Sequence, residues 1–464
     1  MLDKLKCLFY KLPDDFKKIL YLFPMEVRLG GGTFRQLHEF LHTSEGWSQN
    51  KLRRFQALQL RKLLSYAVKN IPFYSNIKLT GDPFRDIKRF PIVNKDTIQQ
   101  NLSDFISNNM ARYKAHLVTT GGTSGRQLRF YLDNSVYAKE WAFMITLWER
   151  VGYKLGDRII SIRGVEFRRT DRGIYWQKQP VYNALELSPF HMNPETLPLY
   201  IEKIKEWRPR FIHGYPSAIT ILAKYILNSD VKGLPRIKGL LLASENLYPW
   251  QRKLLEEAFK ARAFSWYGQS EKVILAGECE FSSKYHVFPE YGYTELLGRD
   301  GSVIEEPGEE GELVGTGFLN YAMPFIRYRT GDYAKLSEEQ ACACGRHYKL
   351  IEDVKGRWLQ EMVVGKHGSL ISLTALNIHS NELNKVYNFQ FFQDKPGEVT
   401  LRLKVNKSFK KEDEKRIIEA FKRKVGNELD IAIEKVNEIE LAPSGKTRFL
   451  IQKLNLMHWW KLIE

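Results

Sequence analysis

The residues equipped for chemistry lie in short polar segments beside apolar runs. The first is Thr119-Thr120-Gly121-Gly122-Thr123-Ser124-Gly125, directly after Leu117-Val118. Its three glycines let the backbone come close to a polyanion, and its hydroxyls and free N–H groups can ligate phosphate oxygens. It is not a Walker A loop, because no Gly-Lys-Ser/Thr closes it. Gly445-Lys446-Thr447 has that ending, but no glycine stands five residues before Gly445. On composition alone the glycine-rich segment is equally well a flexible surface turn. Tyr267-Gly268-Gln269-Ser270-Glu271 places a ring, a close-approach glycine and a carboxylate within five residues. Pro324–Asp332 ends in a turn bearing a carboxylate, and Gly356-Arg357 and Ser444-Gly445-Lys446 supply cations further on.

A second constellation is Cys279-x6-His286 with Cys342-Ala343-Cys344-Gly345-Arg346. Three thiolates and an imidazole match a closed, tetrahedral structural zinc site. Core packing is the bland alternative, since cysteine is among the most buried residues. A Cys-x-Cys-Gly in an apolar-poor stretch is hard to explain that way. Cys7 stands alone, so four cysteines make no disulfide framework. His213, before Gly214-Tyr215-Pro216-Ser217, reads as a structural histidine at a strand end.

The elements that must hold these segments follow from periodicity. In Lys51–Asn70, Leu52, Phe55, Leu58, Leu63 and Ala67 recur at helical spacing, and Pro72 supplies the stop. From about Ala115 to Lys335, short apolar runs (Arg158–Ile162, Phe211–Ile212, Leu240–Ala243) alternate with helical stretches such as Pro249–Phe259. That is an α/β rhythm with buried strands. Near the C-terminal end Val399, Leu401, Leu403 and Val405 alternate as a strand. A charged helix with Ile417, Ile418, Phe421 and Val425 on one face follows, closed by Gly426. Asp430–Leu441 is again strand-like, and a Gly-containing turn then presents Lys446. The expected architecture is a large α/β domain over 1–355, mainly helical in 1–75, and a small α+β lid over 356–464. The join is placed at Lys355–Glu361.

Length and composition agree. A chain of 464 residues, 43% apolar and 13% aromatic, is globular and too long for one ordinary core. No run of eighteen apolar residues offers a membrane span. The N-terminal MLDKLKCLFYKL has neither a continuous signal-peptide core nor a small-residue cleavage site. The expected location is therefore the cytoplasm, with peripheral attachment to the inner membrane face as a second reading. The net charge of +17 is spread along the whole chain without an aromatic-and-basic module, so no nucleic-acid partner is expected. A basic surface that attracts anionic substrates accounts for it.

Taken in order, these segments, with Ser244-Glu245 and Gly311-Glu312-Leu313, resemble the adenylate-forming (AMP-binding) superfamily. The match is to its phenylacetate–CoA ligase branch, which includes CapK-type capsular-polysaccharide proteins, and it covers nearly the whole chain. The resemblance implies ATP-dependent activation of a small carboxylic acid to acyl-AMP, with transfer to coenzyme A, a carrier protein or a sugar amine. It implies that Thr120, Gly121, Gly122, Thr123, Ser124 and Gly125 hold the β- and γ-phosphates. Ser244, Glu245 and Asn246 line the base, and Tyr267, within Tyr267-Gly268-Gln269-Ser270, stacks on it. Asp332 and Arg357 bind the ribose. Glu271 holds Mg²⁺, a hard cation suited to carboxylate and phosphate oxygens. Lys446 reaches the α-phosphate and the substrate carboxylate, and Cys279, His286, Cys342 and Cys344 hold a structural Zn²⁺. Attack of one anion on another needs positive charge where charge builds up, which Lys446 and Mg²⁺ supply. The chain departs from the family at Arg126-Gln127 (usually Lys-Pro), at Ser270 (usually Thr) and at the hinge, where Trp358-Leu359-Gln360-Glu361 follows Gly356-Arg357. A non-catalytic scaffold and a membrane-peripheral protein are the rival readings. The acid, the acceptor and the oligomeric state are not encoded in any motif.

Overall fold

The computed structural model describes residues 18–119, 128–163, 172–188, 192, 196–229, 231–356, 362–366, 370–372, 385–425, 429–441, 448 and 450–456. The helices used below are α1 (Gly32–Ser44), α2 (Gln49–Asn70), α3 (Val136–Glu149), α4 (Leu197–Trp207), α5 (Pro216–Asn228), α6 (Pro249–Phe259) and α7 (Lys411–Val425). The strands are β1 (His116–Thr119), β2 (Arg129–Leu132), β3 (Ile159–Ile162), β4 (Phe211–Gly214), β5 (Gly239–Leu242), β6 (Arg262–Gly268), β7 (Leu275–Gly277) and β8 (Tyr285–Val287). They continue with β9 (Gly292–Leu297), β10 (Glu310–Gly317), β11 (Tyr328–Leu336), β12 (Lys349–Lys355), β13 (Val386–Lys395), β14 (Glu398–Val405), β15 (Asp430–Lys435) and β16 (Leu450–Gln452). The fold is α/β, as the alternation predicts.

Contacts divide the chain into two compact units. One comprises Met1–Asp157, Lys178–Ala184 and Phe264–Lys355; the other comprises Arg158–Gln177, Leu185–Ala263 and Gly356–Glu464.

In the first unit, α2 buries Leu52, Leu60, Leu63, Leu64 and Ala67. Leu58, expected on that face, is 46% exposed, because Leu60 and Leu64 continue the buried stripe in its place. The helix ends where Ile71 turns extended before Pro72, since proline disfavours helical geometry in the residue before it. Helix α3 is buried at every position from Ala142 to Trp148, which marks a helix enclosed by protein. Strands β9-β10-β11-β12-β8-β7-β6 form an all-antiparallel sheet in that order. Antiparallel neighbours need only short connections, so the loops between them can be tight and well placed.

In the second unit, β5, β4 and β3 are parallel neighbours, and every residue in them is buried. Helices cover such strands on both faces, hence their unbroken apolar runs. Tyr200, Ile201 and Ile204 of α4, Ile219, Leu222 and Ala223 of α5 and Leu255 of α6 complete that core. The C-terminal part carries a sheet ordered β15-β14-β13-β16. A β13–β14 hairpin is flanked by parallel β15 and β16. Helix α7 makes the crossover from β14 to β15, and Ile417 and Phe421 join Leu401, Leu403 and Phe391 in one cluster. The alternation of Val399, Leu401 and Leu403 and the apolar face of α7 are thus two halves of one small core. Of the stretch Asp430–Leu441, only Asp430–Lys435 is strand.

Candidate active site and a cysteine–histidine cluster

Two of the motifs meet in the first unit. Tyr267 lies near the end of β6 and Asp332 on β11; the Tyr267 hydroxyl donates to Asp332 Oδ2 at 2.7 Å. Burial, and next the Asp332 charge, push the Tyr267 phenol well above its usual range, so it stays a donor. Asp332 is set by its turn. Its N–H donates to Thr330 Oγ1 at 3.1 Å, and Thr330 Oγ1 donates to the Leu313 carbonyl at 2.8 Å. Glu312 clasps the same turn from β10, accepting from Arg329 Nε at 2.7 Å and from Gly331 N at 3.1 Å. That explains Gly311-Glu312-Leu313 physically: one carboxylate on a neighbouring strand fixes the loop that aims Asp332.

Glu271 accepts from the Tyr328 hydroxyl at 2.9 Å, and Tyr328 stacks on Phe325 with ring centroids 5.2 Å apart. The carboxylate is therefore oriented by a neutral donor, and Glu271 is only half-buried. Next to it, Lys272 has φ +59°, and its Nζ donates to Glu140 Oε1 on α3 at 2.9 Å. Tyr291 donates to the other Glu140 oxygen at 2.6 Å. Gly317 lets this turn approach, for a Cβ there would lie 2.6 Å from the Lys272 carbonyl oxygen. The Gln269 carboxamide is buried with neither of its polar atoms hydrogen-bonded among the described residues. Buried amides are ordinarily paired, so this one is available to a ligand. Gly268 and Ser270 beside it are exposed.

The second unit places Ser244-Glu245-Asn246 directly after β5. Ser244 has φ +70°, a conformation uncommon for a residue with a side chain and frequent at ligand-binding turns. Arg163, just past β3, bridges to it: Nη2 donates to Ser244 Oγ at 3.3 Å, and Nη1 lies 3.1 Å from His213 Nε2. His213 Nδ1 lies 2.9 Å from the Leu241 carbonyl oxygen. The neutral ring with its proton on Nδ1 satisfies both contacts. Burial, then Arg163, hold its pKa down at about 3, so this histidine is structural, as its position at a strand end suggests. Asn246 Oδ1 accepts from Gly356 N at 3.4 Å. Thr120, Gly121, Gly122, Thr123, Ser124, Gly125, Arg357 and Lys446 lie outside the described residues. Sequence reasoning missed Tyr328, Glu140 and Arg163. Tyr328 stood inside a recognised segment, whereas Glu140 and Arg163 carry no motif at all.

The predicted cysteine–histidine set does converge. The ligand atoms of Cys279, His286, Cys342 and Cys344 all lie within 4.8 Å of one another. Cys279 Sγ is 3.5 Å from Cys342 Sγ, and Cys344 Sγ is 3.2 Å from His286 Nε2. Ligands around tetrahedral zinc stand roughly 3.3–3.8 Å apart, so the residues fit that ion. His286 Nδ1 is 3.1 Å from the Lys284 carbonyl oxygen, which turns Nε2 toward the thiols. Gly345, at φ +75°, closes the Cys-x-Cys turn by donating to the Cys342 carbonyl at 3.0 Å. Arg150 and Arg346 flank the cluster. Glu45 accepts from Arg150 Nε at 3.0 Å, and Glu280 accepts from Arg346 Nη1 at 2.7 Å.

Fold and segment order together define the class: this is the fold of the adenylate-forming acid ligases. The crystal structure of a 2-hydroxyisobutyryl-CoA ligase with 2-HIB-AMP superposes with TM-score 0.69 at 17% identity, covering 90% of this chain and 93% of that one. An acyl acid amido synthetase in complex with 2,4-DB gives 0.57 at 12% identity, covering 92% and 96%. More narrowly, residues 363–453 match the CapK C-terminal domain family. The chain is similar to protein CapK of Staphylococcus aureus, at 25% identity over 87% of this chain and 90% of that protein. It is also similar to a phenylacetate–coenzyme A ligase of Thermus thermophilus, at 25% identity over 67% of this chain and 71% of that protein. The resemblance read from the motifs is borne out.

Proposed function

We propose that this chain is an AMP-forming acid ligase that converts a carboxylic acid and ATP to acyl-AMP and pyrophosphate. The observation that carries the reading is the pairing of segment 267–271 with segment 324–332 through Tyr267–Asp332 and Tyr328–Glu271. It gives one aromatic-edged site two oriented carboxylates with different tasks. Asp332 accepts hydrogen bonds from the ribose hydroxyls. Glu271 holds Mg²⁺, which neutralises phosphate charge when bound. Gln269 offers its unpaired amide to the nucleotide, and Ser244–Asn246 borders the base. Thr120–Gly125 receives the β- and γ-phosphates, with Thr123 assigned to the catalytic set beside Lys446 and Glu271, and Arg357 joins Asp332 at the ribose. Lys446 places its ammonium between the α-phosphate and the acid, where two anions must be brought together.

The acyl group then passes to a thiol or an amine: coenzyme A, a carrier protein or a sugar amine. The similarity to CapK favours a role in surface-polysaccharide assembly. Cys279, His286, Cys342 and Cys344 take a structural Zn²⁺ that pins two loops and does no chemistry. The chain acts in the cytoplasm. No described helix is long and apolar enough to cross a membrane.

The test is acid-dependent exchange of pyrophosphate into ATP, screened over aryl, fatty and amino acids. Wild type is expected to exchange with one class and Lys446→Ala to lose at least a hundredfold, on the order of a removed transition-state charge contact. A variant as fast as wild type would overturn the role of Lys446. No exchange with any acid would favour a scaffold, and liposome binding without nucleotide dependence a membrane-peripheral protein.

A further inference from the structure

We propose a second cation site, separate from the cysteine cluster and from the ATP site, formed by His38, His42 and Glu149. It would take a transition-metal dication such as zinc. His38 and His42 are four residues apart on α1, and so share one face. Glu149 is the last residue of α3. His38 Nε2 and His42 Nε2 lie 3.1 and 2.9 Å from the same oxygen, Glu149 Oε2, and 3.2 Å from each other.

This triangle is poorly explained by hydrogen bonds alone. If both rings carry a proton on Nε2, two N–H donors crowd one carboxylate oxygen with their nitrogens only 3.2 Å apart. If one ring does not, its lone pair faces a carboxylate oxygen at hydrogen-bond distance. A dication answers both problems. Ligands about 2.1 Å from a metal stand roughly 3.0 Å apart at octahedral angles and 3.4 Å at tetrahedral ones. The three edges, 2.9, 3.1 and 3.2 Å, lie close to the octahedral value. Two imidazoles with one carboxylate suit zinc, cobalt or nickel, whereas magnesium and calcium prefer oxygen ligands throughout.

The surroundings agree. No lysine or arginine pairs with Glu149 among the described residues; its neighbour Arg150 turns instead to Glu45. The side chains of His38, His42 and Glu149 are 18%, 54% and 25% exposed, so a cation can enter from solvent and keep water in its remaining positions. A bound ion joins α1 to the end of α3. The same helix carries Glu140, which holds Lys272 beside Glu271, so the site braces the active-site scaffold without touching substrate.

Cobalt(II) titration of the chelator-stripped full chain tests this. Cobalt bound to thiolates gives an intense charge-transfer band, while cobalt on nitrogen and oxygen gives only weak ligand-field bands, so the two sites are read separately. Wild type is expected to show the weak component with its own saturation. His42→Gln and Glu149→Gln are each expected to lower its affinity at least tenfold and leave any thiolate band unchanged. Cys342→Ser should do the reverse. A weak component that titrates identically in wild type and both variants, or none in wild type, would overturn the proposal. Circular dichroism without metal confirms that each variant is folded. His42, the most exposed ligand, is the substitution the fold tolerates best.

Discussion

At the residue scale, the site depends on side chains that aim other side chains. Tyr328 touches no motif carboxylate in sequence, yet its hydroxyl holds Glu271 at 2.9 Å. Tyr328→Phe keeps the ring that stacks on Phe325 and deletes only that donor. It is expected to raise the Mg²⁺ concentration needed for half-maximal pyrophosphate exchange by about 10- to 150-fold, the usual worth of one hydrogen bond to a charged group. Stability should change by less than about 1.5 kcal/mol, because Glu271 is only half-buried and water can replace the lost donor. An unchanged Mg²⁺ dependence would show that Tyr328 serves packing alone. The same logic makes Arg163 a positioning residue: it bonds Ser244 and His213 together, and His213 stays neutral throughout the working pH range.

At the element scale, Lys224 is the oddest feature of α5. It is buried, and its ammonium donates to the Val386 carbonyl on β13 with Trp250 5.9 Å away. Burial lowers its pKa to about 7. Between that value and the unfolded value near 10.5, the unfolded chain holds a proton that the folded chain lacks. Stability therefore rises with pH across this window, at a limiting slope of about 1.4 kcal/mol per unit. Below about pH 7 both states are protonated, so the burial penalty is full and constant. Lys224→Met fits the same space without a titrating group. In urea unfolding the variant's stability gain over wild type should be largest at pH 7 and shrink toward pH 10. A gain independent of pH would mean that Lys224 is not the titrating group. Gly214 shows the opposite economy at the end of β4: a Cβ there would lie 2.4 Å from the Ile162 carbonyl oxygen, so glycine alone lets β3 and β4 stay paired.

At the scale of the molecule, the first unit gathers its cysteine cluster from three separate places in an antiparallel sheet. Cys279 follows β7, His286 lies on β8, and Cys342 and Cys344 occupy the β11–β12 connection. An ion there ties segments more than fifty residues apart, so its effect should be on stability rather than chemistry. Protein purified without chelator is expected to carry zinc. Removing it should lower the Tm while leaving pyrophosphate exchange measurable at low temperature. Metal analysis that finds no zinc would end this claim, and loss of exchange with an unchanged Tm would assign the ion a direct catalytic role instead. The sequence by itself determined much of this. Helical and alternating periodicity located α2, α6, β14 and α7, and unbroken apolar runs located β3, β4 and β5. The Cys/His spacing named all four members of the cluster, and the Tyr267, Glu271 and Asp332 segments named residues that the fold brings together. Periodicity reports which face of an element is buried, because that depends on neighbours along the chain. It does not report which faces meet, because partners are chosen by packing between distant segments. Only the tertiary structure could therefore decide that Tyr328 holds Glu271, that Arg163 joins His213 to Ser244, that Leu58 faces out, and that Glu149 meets His38 and His42 from more than a hundred residues away.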